Sequence, residues 1–189
     1  MAATPTVLIV EDERRLYELF ELWLQPKYTV RIANTGKHAL EQLDDQIDMV
    51  LLDRRLPGMS GETVLCEIRT RGYGFPIAMV TGVEPDFEIS EMEFDDYLMK
   101  PFSREKLTHL VDTLVSIPSY GDAVQEYYQL SAKKASLEAA KSDDELESSE
   151  EYAALLTDYA DAKAQADTKI ETIAENLTFS DLEEQSFFS

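Results

Sequence analysis

The sequence predicts an α/β protein: a doubly wound domain on a five-stranded parallel sheet, followed by an α-helical hairpin with coiled-coil character. Three observations predict it. Up to about Ile117, five short apolar runs alternate with amphipathic stretches, the pattern of strands joined by crossover helices. After Pro118 the chain has no proline and a single glycine, Gly121, and is rich in alanine and acids. Within that second part, apolar residues recur at alternating four- and three-residue steps, the spacing of a helix–helix seam. The chain is therefore divided into 1–118 and 119–189.

Val7-Leu8-Ile9-Val10 is the first strand by its β-branched content, and it ends on Glu11-Asp12-Glu13. Leu16, Leu19, Phe20 and Trp23 then recur at helical spacing until Pro26 stops the helix. Tyr28–Ile32 is the second strand, and Asn34-Thr35-Gly36 can cap a helix bearing Ala39, Leu40 and Leu43. Asp48–Leu52 is the third strand, ending on Asp53; Val64, Leu65 and Ile68 mark the helix after it, with Cys66 read as a small core residue in the same pattern. Pro76–Val80 is the fourth strand, ending on Thr81-Gly82. The segment EPDFEISEMEF that follows has a proline, many acids and weak helical periodicity, so the fourth crossover is expected to be mostly loop. Asp96–Met99 is a short fifth strand ending on Lys100-Pro101, and Ser103 caps a helix bearing Leu107, Leu110, Val111 and Leu114.

Beyond Pro118, one helix is expected from Gly121 to Lys141. Ser142-Asp-Asp-Glu145 matches a capping box, and Ser148-Ser-Glu-Glu151 offers a second register for the same helix start. The second, longer helix carries its seam at Tyr152, Leu156, Tyr159, Lys163, Ala166, Ile170, Ile173 and Leu177. Phe187-Phe188 near the end either frays or docks.

The formal charge of −21 repels DNA, RNA and anionic membranes at ordinary salt. An acidic surface with few lysines suits concentrated salt, where the Debye length shrinks to about 3 Å at 1 M. The single cysteine excludes an internal disulfide and fits a reducing compartment. The N-terminal stretch lacks the basic segment of a signal peptide, and no apolar run reaches membrane-spanning length. A soluble cytoplasmic protein is expected.

In an open parallel sheet, ligands bind at the carboxyl ends of the strands. The polar residues there are Glu11, Asp12, Asp53, Thr81 and Lys100. Three converging carboxylates repel one another unless a cation joins them, and Mg2+ takes carboxylate oxygens readily. A lysine and a hydroxyl beside them suit a phosphoryl group.

Four motifs, VLIVEDE, MVLLDRRLPGMSG, AMVTG and DDYLMKPF, stand in order between about Thr6 and Ile117. On them the chain resembles the receiver domain of two-component response regulators, whose sheet is flavodoxin-like. The resemblance implies that Asp53 is the phosphoacceptor, taking its phosphoryl group from a sensor histidine kinase or a small donor. It implies that Glu11, Asp12, Asp53 and the main-chain carbonyl of Arg55 hold Mg2+. Thr81 and Lys100 would bind phosphoryl oxygens, with Gly82 leaving room. Tyr97 would be the switch aromatic, and Lys100-Pro101 the bond that the family usually has cis. Such a protein is a signalling phosphoacceptor that assists its own phosphotransfer, not an enzyme acting on a separate substrate. Arg54-Arg55 departs from the family pattern, and Arg55 is the position that would tune phosphoryl lifetime. Residues 119–189 resemble the HalX domain of haloarchaeal regulators. The tail is expected to engage a protein partner or to self-associate; the alternative is a transcription regulator whose tail contacts DNA directly.

Overall fold

The computed structural model describes residues 4–186, with side chains described as far as Ile170, Ser119 excepted. Five strands, β1 (Thr6–Val10), β2 (Thr29–Ala33), β3 (Met49–Leu52), β4 (Ile77–Thr81) and β5 (Asp96–Met99), form one parallel sheet in the order β2-β1-β3-β4-β5. β1, β3 and β4 are buried along their whole length, as uninterrupted apolar runs require in a sheet covered on both faces. Register then places the strand ends. Val10 pairs with Leu52, so Glu11 and Asp53 leave neighbouring strands side by side. Thr81 pairs with Met99, which sets Lys100 next to Thr81.

One face of the sheet is covered by α1 (Arg14–Leu24) and α4 (Arg104–Ser116), through Phe20, Leu24, Leu107, Leu110, Val111 and Leu114. Trp23 is only partly buried against this cluster, and Leu19 lies on the exposed side of α1. The other face carries α2 (Gly36–Glu41) and α3 (Gly61–Thr70). Side-chain oxygens of Thr35, Ser60 and Ser103 accept from the amides of His38, Thr63 and Lys106 and so open α2, α3 and α4. Cys66 is exposed and not a core residue, because the buried stripe of α3 runs through Val64, Leu65 and Ile68 and one further residue turns outward.

The fourth crossover is thin, as its composition implies: it holds only a 3-10 helix, Phe87–Glu91, capped by the Asp86 carboxylate. The second half of the chain completes the cover of that face. It forms α5 (Asp122–Ala140), α6 (Asp143–Ser148) and α7 (Glu150–Ser186). Leu137, Leu146, Tyr152 and Leu155 join Ile89, Phe94 and Tyr97 in the core that also holds Val50 and Met79. Polar contacts at the start of β5 fix α5 in place. Gln125 and Gln129 donate to Asp95 Oδ1 (3.1 and 2.8 Å), while Arg69 and the Ile77 amide donate to its other oxygen (2.9 and 2.8 Å). The Tyr128 hydroxyl donates to Asp96 at 2.5 Å.

Two expectations for the hairpin change. The acidic stretch uses both of its helix-start signals: the Ser142–Glu145 capping box opens α6, and Ser149 Oγ accepts the Tyr152 amide to open α7. Three helices result where two were expected. The seam of α7 runs through Tyr152, Leu155, Tyr159, Ala162 and Ala166, while Leu156, Lys163 and Ile170 are exposed. Both phases share Tyr152, Tyr159 and Ala166 and differ by one residue between them. The observed phase sets small Ala162 against α5 and turns the Lys163 charge to water. Ile173, Leu177 and Phe187-Phe188 lie outside the described side chains. Among the described residues, no helix is long and apolar enough to cross a membrane.

Candidate functional site

The carboxyl end of the sheet gathers charge. Glu11 continues β1, its amide donating to Ala33 O, and the Asp53 amide donates to Val10 O, so both residues are held by sheet hydrogen bonds. Glu11 is 3% and Asp53 7% exposed, a costly burial for two acids without a cation. Lys100 Nζ supplies one, 2.5 Å from Glu11 Oε2 and 2.6 Å from Asp53 Oδ2. Burial pushes the Glu11 carboxyl above its ordinary range although Lys100 pulls it back. Burial also works against the Lys100 ammonium, but its bonds to Asp53 and Glu11 outweigh this and raise its pKa.

Asp12 completes the cluster from the solvent side: carboxylate oxygens of Glu11, Asp12 and Asp53 all lie within 4.8 Å of one another. Three carboxylates against one ammonium leave the cluster short of positive charge. A hard divalent cation that takes oxygen ligands and keeps several waters fits this donor set, since Asp12 is exposed and leaves room for water.

The loop after β3 presents Asp53. The Arg55 amide donates to Asp53 Oδ1 at 2.9 Å, and the Gly61 amide donates to Arg54 O at 2.9 Å, closing the Pro57-Gly58 turn. Only glycine fits at 61, because a Cβ there would lie 2.1 Å from the Asp53 carbonyl oxygen. The two arginines separate. Arg55 is exposed, whereas Arg54 is 7% exposed, bonded through Nε to Glu62 at 2.6 Å and through Nη2 to Glu88 of the 3-10 helix. Burial depresses the Arg54 guanidinium, but Glu88, the bordering Tyr97 phenol and Glu62 hold its pKa above the usual value.

Thr81 is buried at the end of β4, where its hydroxyl accepts from the Val83 amide at 3.3 Å. A Cβ on Gly82 would meet nothing within 4 Å, so the space beside Thr81 is open. Tyr97 lies inward, and its hydroxyl donates to Val83 O at 2.7 Å; burial raises its pKa against the pull of Arg54. The Lys100-Pro101 bond is cis.

Of the residues singled out by sequence, Glu11, Asp12, Asp53 and Lys100 thus form one cluster. Thr81 and Tyr97 adjoin it as a pair joined through Val83. Arg55 meets Asp53 through its amide. Arg54 and Glu88 were not singled out as site residues. The signal for Arg54 was its unexpected charge beside the acid; nothing in the local pattern pointed to Glu88.

The family model described as "Response regulator receiver domain" matches residues 7–112, and that of the HalX domain matches residues 116–185. A putative transcriptional regulator of Haloferax volcanii is 42% identical over 139 residues, covering 73% of this chain and 24% of that protein. The regulatory protein VanR of Enterococcus faecium is 42% identical over 101 residues, 51% of this chain and 43% of its own length. The chain thus spans less than half the length of both curated relatives. Among solved structures, the Thermotoga maritima response regulator TrrA in complex with Mg2+-BeF is 30% identical, with a TM-score of 0.52 over 58% of this chain and 98% of that one.

Proposed function

Because the chain belongs to the response regulator receiver family, with a HalX domain behind the receiver, we propose that it is a phosphorylation switch with Asp53 as its acceptor. The observation that carries this reading is the convergence of Glu11, Asp12 and Asp53 within 4.8 Å beneath the Lys100 ammonium.

A carboxylate oxygen of Asp53 attacks the phosphorus of the donor, the bond to the leaving group breaks, and its electron pair departs with that group. The product is an acyl phosphate on Asp53. Glu11, Asp12, Asp53 and the Arg55 carbonyl would hold Mg2+, which supplies charge to the phosphoryl oxygens during transfer. Lys100, already on Asp53, follows the new negative charge to a phosphoryl oxygen. Thr81 turns its hydroxyl toward another across the open space at Gly82. The phosphoryl source is a sensor histidine kinase, and the output passes through the helical tail to a protein partner or a second copy.

The test is phosphoryl incorporation from a small donor with Mg2+, expected in the parent and absent in Asp53→Asn. Equal labelling of the variant would overturn the reading. A second reading, direct DNA contact by the tail in transcription, draws on the name of the Haloferax relative, a putative transcriptional regulator. Against it, the tail after Pro118 carries seventeen acids and five bases, a charge that opposes phosphate contact at ordinary salt.

A further inference from the structure

A continuous run of contacts leads from the acceptor end of the sheet to α5. The Thr81 hydroxyl holds the Val83 amide (3.3 Å), and the Val83 carbonyl holds the Tyr97 hydroxyl (2.7 Å). The Tyr97 phenol borders the Arg54 guanidinium, and Arg54 is ion-paired with Glu88 on the 3-10 helix. Two residues further along that short helix, the Ser90 carbonyl accepts from Lys133 Nζ of α5 at 3.0 Å. Lys133 itself is 8% exposed and sits over the Phe94 ring, 5.5 Å from its centre, so it is fixed in place and not sweeping through solvent.

Arg54 is the joint in this run. It is the residue next to Asp53, its backbone is clamped by the Gly61 amide, and its side chain alone reaches from that loop to the 3-10 helix among the described ion pairs. Nη1 of Arg54 is buried without an acceptor. A buried, unspent N–H on a charged group is unfavourable, which gives the guanidinium a reason to shift when its neighbours do. The Tyr97 oxygen, whose proton goes to Val83, borders the guanidinium and keeps a lone pair that a small shift would bring to it.

We propose that Arg54 is a positioning residue that straps Tyr97 and the 3-10 helix to the acceptor loop, so that phosphorylation of Asp53 is passed through Glu88 and Ser90 to Lys133 and the docked tail. This rests on the phosphoacceptor reading. When Thr81 gives its hydroxyl to a phosphoryl oxygen, Val83 loses a partner and Tyr97 with it. Tyr97 then shifts against Arg54, the pull of Arg54 on Glu88 changes, and the Ser90–Lys133 bond loosens.

The experiment is hydrogen exchange on the full chain with Mg2+, before and after adding beryllofluoride as phosphoryl mimic, with fluorine NMR to report its uptake. In the parent, uptake is expected to speed exchange in residues 123–140 by about threefold or more, the scale of a local opening. Glu88→Gln and Arg54→Lys are expected to keep uptake and lose that acceleration. Glu88 is largely exposed, so its substitution leaves the core intact should the arginine variant misfold. Uptake with the same acceleration in both variants would overturn the strap while leaving Asp53 as acceptor. No uptake by the parent would overturn the acceptor reading and the strap with it.

Discussion

At Gly61 the absence of a side chain fixes the shape of the acceptor loop. A Cβ would lie 2.1 Å from the Asp53 carbonyl oxygen and 2.8 Å from Arg54 Cα, both backbone atoms that cannot swing aside. Gly61→Ala is expected to lower stability by about 2 kcal/mol or more, read as a lower denaturation midpoint. An unchanged midpoint would mean that the loop moves freely around position 61. The same loop explains what was legible at this scale. Glu11, Asp12, Asp53, Thr81 and Lys100 were readable because each follows an apolar strand, and a parallel sheet brings those ends together. The family position separates Arg55 from Arg54, but nothing in the sequence shows that Arg54 is the one that turns inward. Which of two adjacent side chains turns inward depends on the path of the loop, which a contact at Gly61, seven residues after Arg54, decides.

Between elements, α5 and α7 are joined by an acid at their contact. Lys134 Nζ (2.6 Å) and the Tyr152 hydroxyl (2.7 Å) both donate to Glu138 Oε1. Lys134 first, then Tyr152, holds the Glu138 carboxyl below its ordinary range. A carboxyl whose pKa is lower folded than unfolded adds stability above the unfolded value, and that stability is lost as pH falls through the folded one. The parent should therefore be more stable than Glu138→Gln at neutral pH, with the gap closing on acidification below about pH 4. The effect is modest because the group is partly exposed. Melting temperatures across that range check it, and a gap that stays constant would contradict it. The α7 seam shows the limit of periodicity. Alternating three- and four-residue steps fit two phases equally, and the choice between Leu155 and Leu156 is made by packing on α5 and the 3-10 helix, which no local pattern records.

For the whole molecule, the thin fourth crossover and the helical second half are one structural solution. The crossover is too short to cover β4 and β5, and α5 to α7 fill that place with Leu137, Leu146, Tyr152 and Leu155. Fully burying one such leucine is worth about 2 kcal/mol. The sequence showed both the missing helix and the added hairpin, but not that one covers for the other, because that contact joins residues far apart in the chain. The boundary at 118 then divides the chain by composition, while its core runs across it. A 1–118 fragment, which uncovers Ile89 and Phe94, is expected to melt well below the full chain, and the full chain to unfold in one cooperative step. Equal melting temperatures would show that the tail adds nothing to the receiver core. On the phosphoacceptor reading, a phosphoryl group is expected to join Asp53 and no other residue. Borohydride reduction after incubation with a phosphoryl donor and Mg2+, followed by peptide mass analysis, tests it most directly. Conversion of the aspartyl side chain at position 53 to the homoserine alcohol is expected, dependent on both donor and metal. Reduction at another carboxylate, or none in a protein that takes up label, would contradict it.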